Sequence, residues 1–263
     1  MEMITASSRQ DVESIGRSGS GYEEKENYFL CKTMNSFYIC ADKNDFGYTP
    51  HAKSDGFWEP WITYWMLSNV SKKSLVADIG ANHGYYSLLL AANECEVHSF
   101  EPQKHLADLI TESSKINNFD IKIFNSAVSD STGEEELIVP IHHGMNATIT
   151  TPGYMPDGFI KEKVSTIKID ELPYRYDFIK IDAEGGERKI WNGMKNYIAN
   201  NPQTLYLVEW RYDRYEDAED FAKEIFDEFN VTYVDFSGIE NALTISDMLS
   251  VKHEDWMLVL RKK

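Results

Sequence analysis

From Ser74 onward the hydrophobic positions fall into short continuous runs that alternate with amphipathic stretches. Short runs rich in β-branched and apolar residues read as buried strands, and apolar residues at a 3.6 period read as helices. This predicts strands over 74–79, 96–100, 121–124, 178–181, 204–209, 231–236 and 256–260, with helices over 85–92, 105–117, 187–200 and 218–229. Two further extended segments, 137–139 and 164–169, bracket a loop rich in Gly, Asn, Thr and Pro. Ahead of this region 37–41 reads as a strand and 57–70 as a helix whose stripe Trp58, Ile62, Trp65, Met66 and Val70 faces a core. The Ser/Gly-rich residues 1–26, of mixed charge, are expected as a flexible leader. The organisation expected is therefore a leader (1–26), a strand/helix extension (27–70) and a main domain (71–263) with a substrate or lid loop at 140–163. Strands alternating with amphipathic helices imply an α/β fold, a mainly parallel sheet with helices on both faces. In such sheets ligands bind beyond the carboxyl ends of the strands.

Charge narrows the ligand. The 263 residues carry 26 Lys+Arg against 43 Asp+Glu, a net charge of −17. That balance repels phosphate backbones and anionic lipid surfaces, so neither nucleic acid nor membrane is expected as a partner. The longest frankly apolar run, 88–92, is far short of the ~20 residues that span a bilayer. Cys31, Cys40 and Cys95 are few, odd in number and widely spaced, which suits a reducing, cytoplasmic setting and no zinc or disulfide framework.

The chemistry concentrates just after the strands. Residues 76–87 read VADIGANHGYYS, with Asp78 ending a strand and Gly80, Asn82 and Gly84 in the turn to a helix. The spacing is G-x-x-x-G, without the third glycine of a dinucleotide fingerprint. A carboxylate at Asp78 opposes a pyrophosphate and suits a cationic ligand end. Glu101 follows the next strand, 21 residues after Gly80, where an acidic residue accepts hydrogen bonds from ribose hydroxyls. Ser126 and Ala127 follow the third strand, in place to meet an adenine edge. The stretch 177–187, DFIKIDAEGGE, delivers Asp182 and Glu184 to the same edge beside a glycine turn, and Glu209 ends the following strand. Carboxylates gathered this way require a nearby cation or proton donor. Glu187 reads as a favourable charge at a helix N-terminus. His83, His142 and His143 rank below these carboxylates as loop histidines. A ribose-bearing, cationic ligand without phosphate preference points to S-adenosylmethionine (SAM) ahead of NAD.

Together DIGANHGYYS (78–87), FEP (100–102), NSAVSD (125–130), VSTIKIDEL (164–172), IKIDAEGGE (179–187) and LVEW (207–210) resemble the FkbM-type family of SAM-dependent, Rossmann-like methyltransferases. The resemblance implies a seven-stranded sheet with an antiparallel last strand. It also implies SAM as cofactor and O-methylation of a hydroxyl on a sugar, glycan or small-molecule natural product. Under that reading Asp78, Gly80, Asn82, Gly84, Glu101, Ser126, Ala127 and Asp182 hold the cofactor. Asp182, then Glu184, serve the acceptor hydroxyl, either receiving its proton or orienting it. Asp182 and Glu209 also suit a shared divalent ion, but no complete ligand set is visible and no metal is assigned. Tyr154 and Phe159 in the loop, and Trp210, Tyr212 and Tyr215 after the fifth main strand, are candidate covers for an acceptor ring. The rival readings are an NAD-dependent oxidoreductase, disfavoured by Asp78 and the missing glycine, and a non-catalytic SAM- or nucleotide-binding module.

Overall fold

Residues 4–140, 148–149 and 158–263 are described by a computed structural model. The segment expected as a flexible leader is folded. Helix α1 (Arg9–Gly19) is capped by the Ser8 side chain, which accepts from the Asp11 N–H, and it buries Val12 and Gly16. Its small residues serve close packing: a Cβ on Gly16 would come within 2.4 Å of Phe57 Cδ1. Strands β1 (Gly21–Glu24), β2 (Tyr28–Thr33) and β3 (Phe37–Asp42) then form an antiparallel meander, of which the sequence pattern showed β3 alone. Helix α2 (Tyr48–Ser54) follows a turn in which Asp45 Oδ1 accepts from the N–H groups of Gly47, Tyr48 and Thr49. Helix α3 (Pro60–Asn69) buries Ile62, Trp65 and Met66, the expected core stripe.

The main unit proceeds β4 (Leu75–Ile79), α4 (Tyr85–Ala92), β5 (Glu96–Phe100), α5 (Lys104–Asn117), β6 (Ile121–Phe124), β7 (Ala127–Val128), β8 (Gly133–Pro140), β9 (Thr148–Ile149) and β10 (Phe159–Ile167). It continues with β11 (Phe178–Ile181), α6 (Glu187–Asn192), α7 (Lys195–Asn200), β12 (Leu205–Trp210), α8 (Ala218–Glu228), β13 (Phe229–Val234), β14 (Glu240–Ala242), α9 (Ile245–Ser250) and β15 (Trp256–Lys262). The central sheet has the order β6-β5-β4-β11-β12-β15-β13-β14. Its first five strands are parallel, and β15 runs antiparallel to both β12 and β13. This is the expected α/β sheet with an antiparallel last strand, widened to eight by the short hairpin strand β14.

Two expected elements differ. The helix expected over 187–200 is interrupted at Gly193, and the missing Cβ lets the chain there lie against Ser129, whose carbonyl oxygen a Cβ would meet at 2.0 Å. Most of the described residues of the loop expected at 140–163 belong to a second sheet, β7-β10-β8-β9, in which β8 and β10 form a long antiparallel pair from Gly133↔Thr166 to Pro140↔Phe159. His142, His143 and Tyr154 lie outside the described residues.

The sheet is covered on both faces. On one, Val76, Phe178 and Leu207 pack with α3, α4 and the N-terminal elements; on the other, Ile79, Ile181 and Val208 pack with α6, α7 and α8. The N-terminal meander docks through α5, whose side chains satisfy the exposed edge of β3. Asn117 Oδ1 accepts from Tyr38 N at 2.8 Å, and Ser113 Oγ accepts from Cys40 N at 2.8 Å. That docking brings α2 and the start of α3 over the carboxyl ends of β4 and β11. Among the described residues no helix is long and apolar enough to cross a membrane, and the three cysteines are buried and free.

Candidate active site

A cleft of about 940 Å³, open solvent included, lies beyond the carboxyl ends of β4, β5 and β11. Gly80, Asn82, Glu101, Ala127, Asp182 and Glu184, each expected at the site, line it together. Asp78, Gly84 and Ser126 are not among the residues that line it. The glycines also serve the packing. A Cβ on Gly80, whose φ is +75°, would sit 1.8 Å from the Asp182 carbonyl oxygen, and one on Gly84 would sit 2.8 Å from Ile110 Cγ1. The first glycine therefore lets two strand ends meet, and the second lets α4 approach α5. In both cases the missing Cβ makes room for protein.

The floor is ionic. Asp78 and Lys180 are direct neighbours across the β4–β11 pair, and the period of two places Lys180 and Asp182 on the same face. Lys180 is 2% exposed, with Nζ 2.9 Å from Asp182 Oδ2 and 3.8 Å from Asp78 Oδ1. Asp78 Oδ2 accepts from Ser87 Oγ at 2.6 Å, whereas Oδ1 has no hydrogen-bond partner among the described residues. Burial raises the Asp78 carboxyl against the pull of Lys180 and Ser87. Burial alone would lower the Lys180 ammonium, but Asp182 and Asp78 together raise it. The sequence reading missed Lys180, although a lysine amid the buried FIKI run signals a paired interior charge.

On the β5 side, Glu101 is 3% exposed and accepts from the Asn82 and Gln103 N–H groups, each at 2.8 Å. Burial pushes its carboxyl up to about 7 despite those donors. Asn82 holds a left-handed backbone, φ +54°, and its Oδ1 accepts from His83 N at 2.7 Å and Nδ1 at 2.5 Å. His83, expected as a solvated loop residue, is buried on the cleft wall and stacks on Tyr48 at 4.7 Å. Among the described residues its Nε2 has no partner, and burial lowers its pKa to about 4, so the ring is neutral.

Opposite, the carboxylates gather as expected. Oxygens of Asp182, Glu184 and Glu209 lie within 4.8 Å of one another, a spacing that suits an oxygen-ligated cation. The cation supplied by the fold is Arg214, from the 3₁₀ turn after β12. It donates to Glu209 and to Glu184 Oε2 (2.8 Å) and lies 3.3 Å from Asp255. Burial, then Asp182, push Glu184 up to about 7 against the pull of Arg214, and the same two causes raise Glu209. Glu184 (φ +51°) and Gly185 (φ +100°) make the sharp turn. Glu187 is 1% exposed and ties this turn down, accepting from Ala183 N (2.8 Å), Gly185 N (2.9 Å) and the Tyr215 hydroxyl (2.7 Å). Trp210 and Tyr215, candidate acceptor covers, are packed in the core.

The remaining wall comes from the N-terminal elements. Tyr48 and Trp58 line the cleft with Tyr85 and Tyr86 of α4. Trp58, assigned from sequence to the core stripe, is held by Thr63 Oγ1, which donates to its carbonyl at 2.7 Å and pairs with the Tyr85 hydroxyl at 2.9 Å. The Tyr86 hydroxyl donates to Glu59 at 2.5 Å.

Residues 78–242 match the model of the methyltransferase FkbM domain. A crystal structure of methyltransferase FkbM from Methylobacillus flagellatus KT is similar at 15% identity and a TM-score of 0.48, over 76% of this chain and 47% of that one. The chain thus spans about half the length of that protein. A TehB-like SAM-dependent methyltransferase from Corynebacterium glutamicum is similar at 11% identity and a TM-score of 0.47, over 81% of this chain and 92% of that one. A Thermus thermophilus 16S rRNA N2 G1207 methyltransferase, solved with AdoMet and guanosine, is similar at 12% identity and a TM-score of 0.46, over 93% and 50%. No protein of curated function matches the sequence. The family match extends from the strand-end Asp78 to Ala242, more than half of the chain, and the chain belongs to the FkbM family of SAM-dependent methyltransferases.

Proposed function

We propose that this protein binds S-adenosylmethionine in the cleft and methylates a hydroxyl group of a sugar, glycan or other small molecule. The observation that carries the reading is the convergence of Gly80, Asn82, Glu101, Ala127, Asp182 and Glu184 on one cavity at the sheet's carboxyl edge. The donor set fits a cationic ligand. Burial holds Glu101 and Glu184 near 7, and a positive charge entering beside them favours their ionised forms. A pyrophosphate would meet the same carboxylates unfavourably, which speaks against NAD. The net charge of −17 likewise favours a neutral or cationic acceptor over a polyanion.

Glu101 would accept the ribose hydroxyls through the lone pairs left free by its two backbone donors. The backbone of 80–83 would pass along the amino-acid portion, and the apolar Phe100, Val128 and Leu137 would flank the adenine with Ala127. When bound, the sulfonium supplies an electrophilic methyl group. What remains for the protein is to hold an acceptor oxygen in line and keep water out. Asp182, fixed by Lys180, is placed to orient an acceptor hydroxyl, and Glu184 is held beside it by Arg214. Tyr48 and Trp58 would cover the acceptor's ring.

Calorimetric titration of SAM into wild type and Glu101→Ala tests the cofactor half. Losing hydrogen bonds to a charged group costs about 1.5–3 kcal/mol, a weakening of roughly 10- to 150-fold. An unchanged dissociation constant removes the ribose assignment. Transfer of labelled methyl from SAM into a panel of hexoses, glycosides and phenols tests the acceptor half.

A further inference from the structure

Glu59 sits where a glutamate gains nothing locally. Its backbone is left-handed, φ +35° and ψ 74°, and Pro60 follows it, a context that favours extended geometry. It occupies the N-cap position of α3 yet makes no side-chain cap. Its carboxylate turns instead to the cleft wall and accepts the Tyr86 hydroxyl at 2.5 Å. Tyr86 is 5% exposed, lines the cleft and stacks its ring over Lys180 with Nζ 5.1 Å from the centroid. Backbone strain held in place beside a cleft is more often functional than idle.

The other carboxylates of the cleft are already engaged. Asp182 is held by Lys180, Glu184 by Arg214, and Glu101 by two backbone N–H groups. We propose that Tyr86 and Glu59 form the route by which the proton of the acceptor hydroxyl leaves the cleft, Tyr86 meeting the hydroxyl and Glu59 positioned behind it. This rests on the hydroxyl-methylation reading above. As the acceptor oxygen forms its bond to the methyl carbon, the methyl–sulfur bond breaks with its electron pair going to sulfur, and the acceptor's O–H bond breaks. The released proton passes to the Tyr86 oxygen while Tyr86 gives its own proton to Glu59 Oε2. Tyr86 ends as it began, the donor's positive charge is lost, and the Glu59 carboxylate becomes a neutral acid, so charge balances. As a whole residue Glu59 is half-buried, with its carboxyl on the inner side against Tyr86.

Four groups act on Glu59: Asp182 after β11, Lys180 within it, Tyr86 on α4 and Asp255 ahead of β15. Burial, then Asp182, push its carboxyl up to about 7, against the pull of Tyr86 and Lys180. A proton acceptor works best near the operating pH, and this one is placed there.

Glu59→Gln keeps an oxygen for the Tyr86 hydroxyl, so a purely structural staple survives it; Tyr86→Phe removes the bond. In the labelled-methyl assay with the hydroxyl panel, both variants should lose roughly 10²-fold or more in kcat on any acceptor wild type uses. Their SAM dissociation constants and melting temperatures should stay close to wild type. The acid limb of the wild-type pH–rate profile, set by Glu59, should vanish in Glu59→Gln. A Glu59→Gln enzyme with wild-type kcat and pH profile overturns the route. Carbon-13 NMR of the glutamate carboxyls, with Glu59 identified by its loss in Glu59→Gln, gives a readout independent of turnover. Its titration should lie near neutrality and rise when S-adenosylhomocysteine replaces SAM. A Glu59 that titrates in the ordinary carboxylate range overturns the route even if hydroxyls are methylated. Near-neutral titration with no hydroxyl methylated supports the proton store and removes the hydroxyl reading.

Discussion

Lys180→Met tests whether the buried charge under the cleft holds the site together. The change keeps most of the side-chain volume and deletes the ammonium that separates Asp78 from Asp182. At an effective dielectric constant of about 20, the contacts at 2.9 and 3.8 Å correspond to about 6 and about 4 kcal/mol of attraction. Burying the ions costs several kcal/mol each and offsets much of that. Removing one partner leaves the desolvation cost uncompensated, and buried pairs broken in this way typically lose about 3–5 kcal/mol. The pH dependence carries the sharper signature. Burial already raises the Asp78 carboxyl, and Lys180 restrains it. Without Lys180 the native value rises further, so the native state binds this proton more tightly than the unfolded chain does. That contribution is fully present below the unfolded value of about 3.9 and is lost as pH rises through the native value. Urea denaturation of wild type and variant from about pH 4 to about pH 8 should therefore show a penalty that is small in acid and reaches about 3–5 kcal/mol in base. A penalty below about 1 kcal/mol at the upper end, or one constant across the range, refutes the buried-pair reasoning.

Gly80→Ala should destabilise the fold by about 2–5 kcal/mol, from a left-handed alanine and from overpacking, because its Cβ would meet the Asp182 carbonyl at 1.8 Å. Urea denaturation checks this, and near-wild-type stability would show that the strand ends part at little cost. Arg214→Met removes the cation from Glu184 and Glu209, whose carboxyls should rise further. Since Glu184 already stands at about 7, the variant's stability should fall more steeply than wild type's as pH rises through neutrality. Denaturation midpoints at about pH 6 and about pH 8 measure it, and parallel shifts in the two proteins would count against the pairing.

The central sheet was legible because each strand is an apolar run closed by a turn or a charged residue, and because Asp78, Glu101, Asp182 and Glu209 stand at strand ends. What escaped the sequence depended on contacts distant along the chain. Gly16 and Gly19 read as linker, yet Gly16 is required where α1 meets Phe57. The helix expected over 187–200 gave no sign that Gly193 lies against the Ser129 carbonyl, where a side chain has no room. The need for a cation among the carboxylates was legible, but its source was not, since Arg214 lies 30 residues from Glu184. Trp58 shares its period with the core residues of α3, and only the docking of the N-terminal meander turns it toward the cleft. The spacing of Gly80 and Gly84 marked a turn, but not that their missing Cβ atoms also make room for Asp182 and Ile110.

A crystal structure of the protein with S-adenosylhomocysteine bound tests the central assignment most directly. The ribose hydroxyls should lie on the Glu101 carboxylate, the adenine beside Ala127 and the amino-acid portion along 80–83. The homocysteine sulfur should face the side of the cleft that holds Tyr86 and Asp182. Density at another surface, or in the cleft with its ribose remote from Glu101, would contradict it.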